Sequence, residues 1–243
     1  MRAWWSQTRA EVRMNIRHGE TLLLTIGIPV VLLIFFTTVH VTAAPGPRRI
    51  DFLAPGILAL CVMSTSLVAL SISTGFERTY GVLRRLRVTP LGRTRLILAK
   101  VASIKVVELI QVVVIGAVAL GLGWHPRGGV LSALEFAATT VLATAGFAGI
   151  GLALAGRLRA EINLAAANGL YLVLLLLSGF VISLSSFPAA LRGAVVALPS
   201  GAFAEALHRT LGHGTSPSGA DWISLALWAL AAPLLAARTF RFD

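Results

Sequence analysis

The residues most suited to binding lie in one basic stretch, residues 75–96, with the sequence GFERTYGVLRRLRVTPLGRTRL. It holds six arginines, at positions 78, 84, 85, 87, 93 and 95, between two apolar runs. A basic cluster of this kind can bind nucleic acid, hold anionic lipid or present a docking surface to a partner protein. The rest of the sequence decides between these three kinds of binding.

A second group of polar residues lies inside apolar runs. Lys105, Glu108 and Gln111 recur at intervals of three, so they share one face of a helix. An ionisable residue inside a membrane span is a functional candidate by default. Two interpretations stay open: a structural pair in which Lys105 reaches the interface and bonds Glu108, or the lining of a gate or cavity. The hydroxyls of Ser64 and Ser66 either line a polar pathway or bond their own helix backbone.

Motifs for catalysis are absent from the sequence. No Gly-x-x-x-x-Gly-Lys-Ser/Thr loop occurs, so any ATP must be bound by another chain. No His-Glu-x-x-His pair occurs, the five histidines are scattered, and the single cysteine, Cys61, lies in an apolar run. We therefore expect no catalytic residue, no metal and no bound cofactor, and we expect that the chain is not an enzyme.

Composition identifies lipid as the solvent of most of the chain. Of 243 residues, 56% are hydrophobic and only 13% are charged, whereas a soluble domain carries about a quarter charged residues. The net charge of +11 would indicate nucleic acid in a soluble protein. In a membrane protein it reports arginines gathered in the loops of one side.

The apolar runs predict an all-α, polytopic membrane protein with six transmembrane helices in one domain, residues 1–243. A helix needs about 20 apolar residues to cross the hydrocarbon core. The predicted spans are 21–41, 53–74, 99–122, 131–154, 164–184 and 220–237. With the N-terminus inside, fourteen arginines fall in inner segments and five in outer ones. Both termini are therefore expected in the cytoplasm.

Two segments outside the spans have helical patterns. In residues 1–20, Trp4, Trp5, Val12 and Ile16 recur at helical spacing among arginines, which favours a helix lying in the cytoplasmic interface over a flexible basic tail. Residues 185–219 hold two short segments that open at Pro188 and Pro199, as first helical turns do. Both segments are too short to span, so we expect re-entrant helices on the outer side between spans five and six rather than an ordinary surface loop.

Residues 76–87 of the basic stretch are amphipathic when placed on a helix. Thr89-Pro90 is expected to end this helix, because the residue before proline avoids the α region. Nucleic acid is a poor partner, since no aromatic platform or recognition fold accompanies the arginines. Anionic lipid accounts for the arginines but not for Glu77 or Gly81. A docking helix for a cytoplasmic protein accounts for both, with another surface approaching closely at Gly81.

The run from Phe76 to Leu91, FERTYGVLRRLRVTPL, resembles the segment after the second span in permeases of ABC-2 type ATP-binding-cassette exporters. Two further features are similar to that family. The second span opens with DFLAPGI at residues 51–57, and Ser178-Gly179-Phe180 precedes Phe187-Pro188 and Leu198-Pro199. The likeness extends over nearly the whole chain.

The resemblance implies a permease subunit of an exporter in the cytoplasmic membrane. Such a subunit is expected to pair with a second permease copy or a paralogue, and to be driven by two ATPase subunits that bind ATP and Mg²⁺. The substrate expected is hydrophobic or amphipathic: a drug, natural product, lipid or glycan-lipid. The alternatives are an ion-coupled secondary transporter or a membrane scaffold.

Residues 75–96 then match the family's coupling segment, which contacts the ATPase. The expected docking residues are Phe76, Glu77, Arg78, Tyr80, Gly81, Leu83, Arg84, Leu86, Thr89 and Pro90. The candidate translocation path is Ser64, Ser66, Lys105, Glu108 and Phe180.

Overall fold

The computed structural model describes residues 5, 8–9, 11–13, 19–39, 48–87, 92–180, 184 and 188–240. All the regular structure in these residues is helical, and no strand occurs among them, which confirms the predicted all-helical class. We number the helices α1 (Gly19–Thr38), α2 (Arg49–Thr79), α3 (Val82–Arg87), α4 (Gly92–Gly121), α5 (Gly129–Ala155), α6 (Ala160–Leu176), α7 (Ala189–Ala197), α8 (Pro199–His213) and α9 (Gly219–Thr239).

Four of the described helices are long and apolar enough to cross a bilayer: α2, α4 from Ile97 onwards, α5 and α9. They correspond to the second, third, fourth and sixth predicted spans. The first and fifth predicted spans correspond to α1 and α6, whose apolar parts, Thr25–Thr38 and Ala160–Leu176, are shorter. Most of the predicted interfacial helix, residues 1–20, lies outside the described residues; residues 5, 8–9 and 11–13 are helical.

Helix α2 lies at the centre of the bundle. It is 31 residues long, and 83% of its most apolar stretch is buried inside the bundle. Leu53, Ile57, Met63 and Leu67 are among its fully buried side chains. Because α2 contacts α1, α4, α5, α6 and α8, a displacement of this helix would disturb most of the bundle.

A wide π-helical turn, Ser64–Ala69, interrupts the regular hydrogen bonding of α2. The Ser64 hydroxyl donates to the carbonyl of Cys61 (3.0 Å), and the Ser66 hydroxyl donates to that of Val62 (2.5 Å). Serine hydroxyls compete with the backbone in this way, and such π turns often mark functional sites.

Helices α5 and α9 form the most extensive helix pair. Glycines of α5 allow this approach, because a Cβ atom at Gly149 would overlap backbone atoms of Ala232 and Pro233. A Cβ at Gly146 would lie 3.3 Å from the Cβ of Trp228. Small residues of α5 therefore serve close helix packing within the chain.

Helices α7 and α8 form a pair bent by 91° at Leu198. Pro188 is the N-cap residue of α7 and Pro199 is the first residue of α8, so the two predicted short helices begin where the prolines indicate. The indole of Trp228 donates to the carbonyl of Ala197 (2.9 Å), which holds the end of α7 on α9. At the start of α2, Phe52 stacks on His208 of α8 with ring centroids 4.2 Å apart.

We expect Gly149→Ala to destabilise the chain by ~1–3 kcal/mol, because the added methyl group overlaps the backbone of α9. The measurement is the midpoint temperature of thermal unfolding of the purified protein in mild detergent. Gly116→Ala in α4 is the matched control, since its new methyl group meets no atom of another helix within 4 Å in the part of the chain that the structure describes. Equal midpoints for the two variants would contradict the packing argument.

Candidate functional site

The coupling segment, residues 75–96, begins as the last turn of the central helix. The amide of Tyr80 donates to the carbonyl of Phe76 (2.9 Å), and the amide of Gly81 donates to that of Arg78 (3.1 Å). Gly81 then adopts a φ of +72°, a left-handed conformation that glycine adopts without steric cost. Helix α3 begins at the next residue, so the surface turn continues directly from α2.

The prediction of one continuous helix over residues 76–87 is therefore wrong. The chain turns at Tyr80-Gly81 because of the positive φ of Gly81, which a helical periodicity does not reveal. Among the described residues, apart from the neighbours of Gly81 in the chain, no atom lies within 4 Å of the position that a Cβ atom would take at Gly81. The left-handed backbone conformation is a sufficient reason for a glycine at position 81. The close approach of a partner protein at Gly81 stays a prediction.

Glu77 points into a buried ion cluster, which we define as Glu11, Glu77 and Lys100. The Lys100 Nζ atom lies 2.6 Å from Glu77 Oε2 and 3.1 Å from Glu11 Oε1. The Lys100 side chain is 3% exposed and that of Glu77 is 13% exposed. The cluster joins the N-terminal segment, α2 and α4. Removing one member of such a buried set leaves a charge without compensation in an apolar site.

Arg78 caps the end of α5. Its guanidinium donates to the carbonyls of Ala155 (2.9 Å) and Leu158 (3.0 Å). The last carbonyls of a helix lack partners within that helix and carry partial negative charge, so a cation stabilises them. Glu77 and Arg78 together fasten the coupling segment to α4 and to the end of α5.

The described side chains of the coupling segment are partly exposed and partly buried. Tyr80 is 73% exposed, Val82 is 37% exposed, and Arg85 is also exposed. Phe76 is half-buried and stacks with Tyr80, the ring centroids lying 6.1 Å apart. Leu83 is fully buried against the ends of the spans. Among the other expected docking residues, Arg84 and Leu86 lie within α3, and Thr89 and Pro90 lie outside the described residues.

A second polar cluster joins α4 to α5. Lys105 Nζ donates to Glu108 Oε2 (2.8 Å) and to the Thr144 hydroxyl (2.9 Å). The Thr144 hydroxyl also lies 2.8 Å from Glu108 Oε2, and Glu108 is 2% exposed. This arrangement favours the structural pair among the two sequence interpretations. A gating role for Lys105 or Glu108 stays a prediction.

Two further polar contacts connect α2 to its neighbours. The Gln111 amide donates to the Thr65 hydroxyl (2.9 Å) and to the Thr25 carbonyl (3.1 Å), which joins α1, α2 and α4. The Asn163 amide donates to the carbonyl of Ser71 (2.9 Å), which joins α6 to α2. The sequence analysis missed Asn163, as it missed Thr144, Lys100 and Glu11 as partners. In the sequence these residues are recognisable only as polar side chains, because their partners lie up to 92 residues away along the chain.

The remaining residues of the candidate path lie in the packed interior of this chain. Ser66 and Phe180 are 0% and 1% exposed. The carbonyl of Phe180 lies so close to Gly56 that a Cβ at Gly56 would overlap it. Ser64 is half-buried and bonded to its own helix. A translocation role for these three residues stays a prediction.

Comparison with protein families gives one match. The model described as ABC-2 type transporter matches residues 2–210, which include the coupling segment and both polar clusters. No curated protein sequence matches the chain. Among the described residues, no group of three His, Cys, Asp or Glu residues is arranged to hold a metal ion.

We expect Lys100→Met to destabilise the chain by ~3–5 kcal/mol, because it leaves the buried Glu77 carboxylate without its cation. Thermal unfolding in detergent measures the effect. Adding Glu77→Gln to Lys100→Met removes one of the two carboxylate charges that the loss of Lys100 leaves beside each other, Glu11 and Glu77, and should recover part of the lost stability. Arg85→Met is the matched control, since Arg85 is exposed. A Lys100→Met midpoint equal to that of Arg85→Met would show that the cluster contributes no stability.

Proposed function

Because the chain belongs to the ABC-2 type transporter family, we propose that it is the permease subunit of an ATP-driven exporter whose ATP is bound and hydrolysed on separate chains. Family membership and the apolar helices make the chain a multi-pass membrane protein and a component of an ABC transporter. The proposal adds the direction of transport, the ATPase partner and the substrate class. A mostly aliphatic interior suits a drug, natural product, lipid or glycan-lipid better than a small ion.

The observation that carries the proposal is the exposed turn at the end of the central helix. Tyr80, Val82 and Arg85 face outwards beyond the apolar part of α2. Exposed aromatic and arginine side chains are the residue types that dominate protein interfaces. An ATPase subunit bound to this turn would act directly on the most buried helix of the permease.

The inward contacts of the coupling segment supply a path for that movement. Glu77 is bonded to Lys100 of α4, and Arg78 is bonded to the end of α5. A partner that displaces the turn therefore displaces α2, α4 and α5 as a unit, because these contacts are buried or half-buried. We propose that ATP-driven closure of the partner shifts these spans between inward-open and outward-open arrangements, which is alternating access.

For the topology, we propose six spans, with α1 and α6 completing the four long helices. The 17 residues of α6 give a length of about 25 Å at 1.5 Å per residue, close to the ~30 Å of the hydrocarbon core. The distribution of arginines supports a cytoplasmic location for both termini. The bent pair α7 and α8 then lies on the outer side as a re-entrant element.

A second permease copy is proposed to cover one face of α6. Ala165, Asn168, Gly169 and Leu172 are exposed and share that face. Asn168 lies near the middle of α6, and polar side chains at that depth generally face protein or a water-filled cavity. Among the described residues outside α6 itself, no atom lies within 4 Å of a Cβ at Gly169. Small residues allow the backbones of two helices to approach closely.

The ion-coupled alternative has one specific feature in its favour, the buried carboxylate of Glu108. That carboxylate is already bonded to Lys105 and Thr144, and the sequence contains no repeat of the kind that secondary transporters usually have. Ion-driven flux by the purified chain without an ATPase would favour this alternative.

We expect Tyr80→Ala to weaken ATPase binding about 30-fold, the ~2 kcal/mol typical of an aromatic anchor. The tagged permease is purified from membranes in mild detergent, and the bound chains are identified by mass spectrometry. The chain sought contains a Gly-x-x-x-x-Gly-Lys-Ser/Thr loop. Val130→Ala is the control, because Val130 is 79% exposed and lies at the opposite end of the spans.

Two results would contradict these proposals separately. An ATPase that is retained by Tyr80→Ala combined with Val82→Ala would place docking elsewhere on the chain. If wild type yields no ATPase and transports by an ion gradient, the exporter proposal is wrong.

We expect Asn168→Cys to form a disulfide between two permease copies under mild oxidation. A disulfide requires Cα atoms roughly 4.4–6.8 Å apart, so it reports close approach of the two α6 helices. The only native cysteine, Cys61, is buried and does not compete. Leu131→Cys on α5 is the exposed control. Equal dimer formation by both variants, or none by either, would argue against α6 as the contact between copies.

A further inference from the structure

An apolar groove lies between α5, α6 and α9. Its volume is about 440 Å³, and its walls include Leu154 of α5, Leu174 of α6 and Leu235 of α9. Its lining is almost wholly apolar. Neither the exposed turn at Tyr80 nor the candidate translocation path includes a residue of this groove.

The length of the groove matches one leaflet of a bilayer. Along α9 its lining runs from Trp228 to Thr239, eleven residue steps, or about 16 Å at 1.5 Å per residue. The hydrocarbon core of a bilayer is ~30 Å thick, so the groove extends through about half of it. At the end opposite Thr239 the groove stops against Leu198 and Pro199, the bend between α7 and α8.

Arg157 is the charged residue of the lining. It follows the C-terminal end of α5, and it lies at the same end of the groove as Thr239, the last residue of α9. Arg157 is exposed, and among the described residues no carboxylate pairs with it. The groove therefore offers an apolar slot one leaflet deep, and the cation at its mouth has no carboxylate partner among the described residues.

We propose that this groove binds one acyl chain of a resident anionic phospholipid, with the headgroup phosphate at Arg157. Basic pockets between transmembrane helices at the cytoplasmic side are suited to anionic headgroups, and each basic residue near the surface contributes attraction for them. The inference rests on the membrane orientation proposed above, in which Arg157 faces the inner leaflet.

Two other occupants fit the groove less well. A second permease copy would meet the Asn168 face of α6, whereas Leu170 and Leu174, which line the groove, lie on the opposite side of that helix, about 200° and 240° away at 100° per residue. A transported molecule needs a path across the whole membrane, and the groove ends at the bend at Leu198. A lipid needs only one leaflet.

The test uses the purified full-length permease without an ATPase, mixed in mild detergent with dioleoyl phosphatidylglycerol or dioleoyl phosphatidylcholine. Native mass spectrometry counts the bound lipid. Wild type is expected to retain phosphatidylglycerol in preference to phosphatidylcholine. Arg157→Ala should reduce that preference about fivefold, equivalent to ~1 kcal/mol for one basic residue near the surface. Arg159→Ala, an exposed arginine that does not line the groove, should leave the preference unchanged.

A second pair of variants tests the apolar slot itself. Ala231 is exposed and lines the groove, whereas Ala237 is exposed on the same helix and does not. Ala231→Trp should lower the retention of both lipids, and Ala237→Trp should retain them as wild type does. If both variants lose lipid retention equally, the substitutions damage α9 in general, and the assignment of the slot is overturned.

Other outcomes also overturn the proposal. Equal retention of the two lipids, unchanged in Arg157→Ala, would show ordinary bilayer contact without a headgroup site. If Ala231→Trp keeps the lipid and shifts the protein from dimer to monomer, the groove is an interface between copies. If added ATPase and ATP release the lipid, it is cargo rather than a resident lipid. Since binding is measured on the permease alone, a failure of ATPase docking does not affect the result.

Discussion

The positions of the helices depend on polar side chains that bond across the bundle where water is absent. In hydrocarbon a polar group that lacks a partner costs several kcal/mol, so each of these bonds selects one arrangement of the helices it joins. Helix α2 takes part in several of them, through Thr65 with Gln111, Ser71 with Asn163 and Glu77 with Lys100. Apolar packing alone would allow many rotations of α2, whereas these three bonds specify one.

The same constraint explains how a surface turn is connected to the membrane interior. Glu77 and Arg78 are adjacent in sequence, yet one contacts α4 and the other contacts the end of α5. Tyr80 and Val82, a few residues further on, are exposed. A partner that binds this small outward face acts on a long helix that is held at several depths, which suits the transfer of movement better than a flexible loop does.

The exposed surfaces differ in character. One face of α6 presents a central asparagine with small neighbours, whereas the groove between α5, α6 and α9 is apolar with an arginine at its mouth. A helix face that carries a polar side chain near the middle of the membrane favours contact with protein. A long apolar slot favours an acyl chain. The two proposed occupants lie on opposite sides of α6 and do not compete.

The lengths of the apolar runs determined the helical class and most of the spans, because crossing a bilayer needs a local property that about 20 consecutive residues carry. The prolines at 188 and 199 determined where two short helices begin, since proline is compatible with a first turn. Spacing also placed Lys105, Glu108 and Gln111 on one face. The tertiary structure alone decided what covers each face. The sequence predicts Glu77 on a docking surface, and the structure adds that Lys100 and Glu11, distant in the chain, lie beside its carboxylate. The break at Gly81 likewise depends on a backbone angle that periodicity does not report. A periodic pattern tells which side chains point the same way, but only packing determines whether they meet water, lipid or another helix.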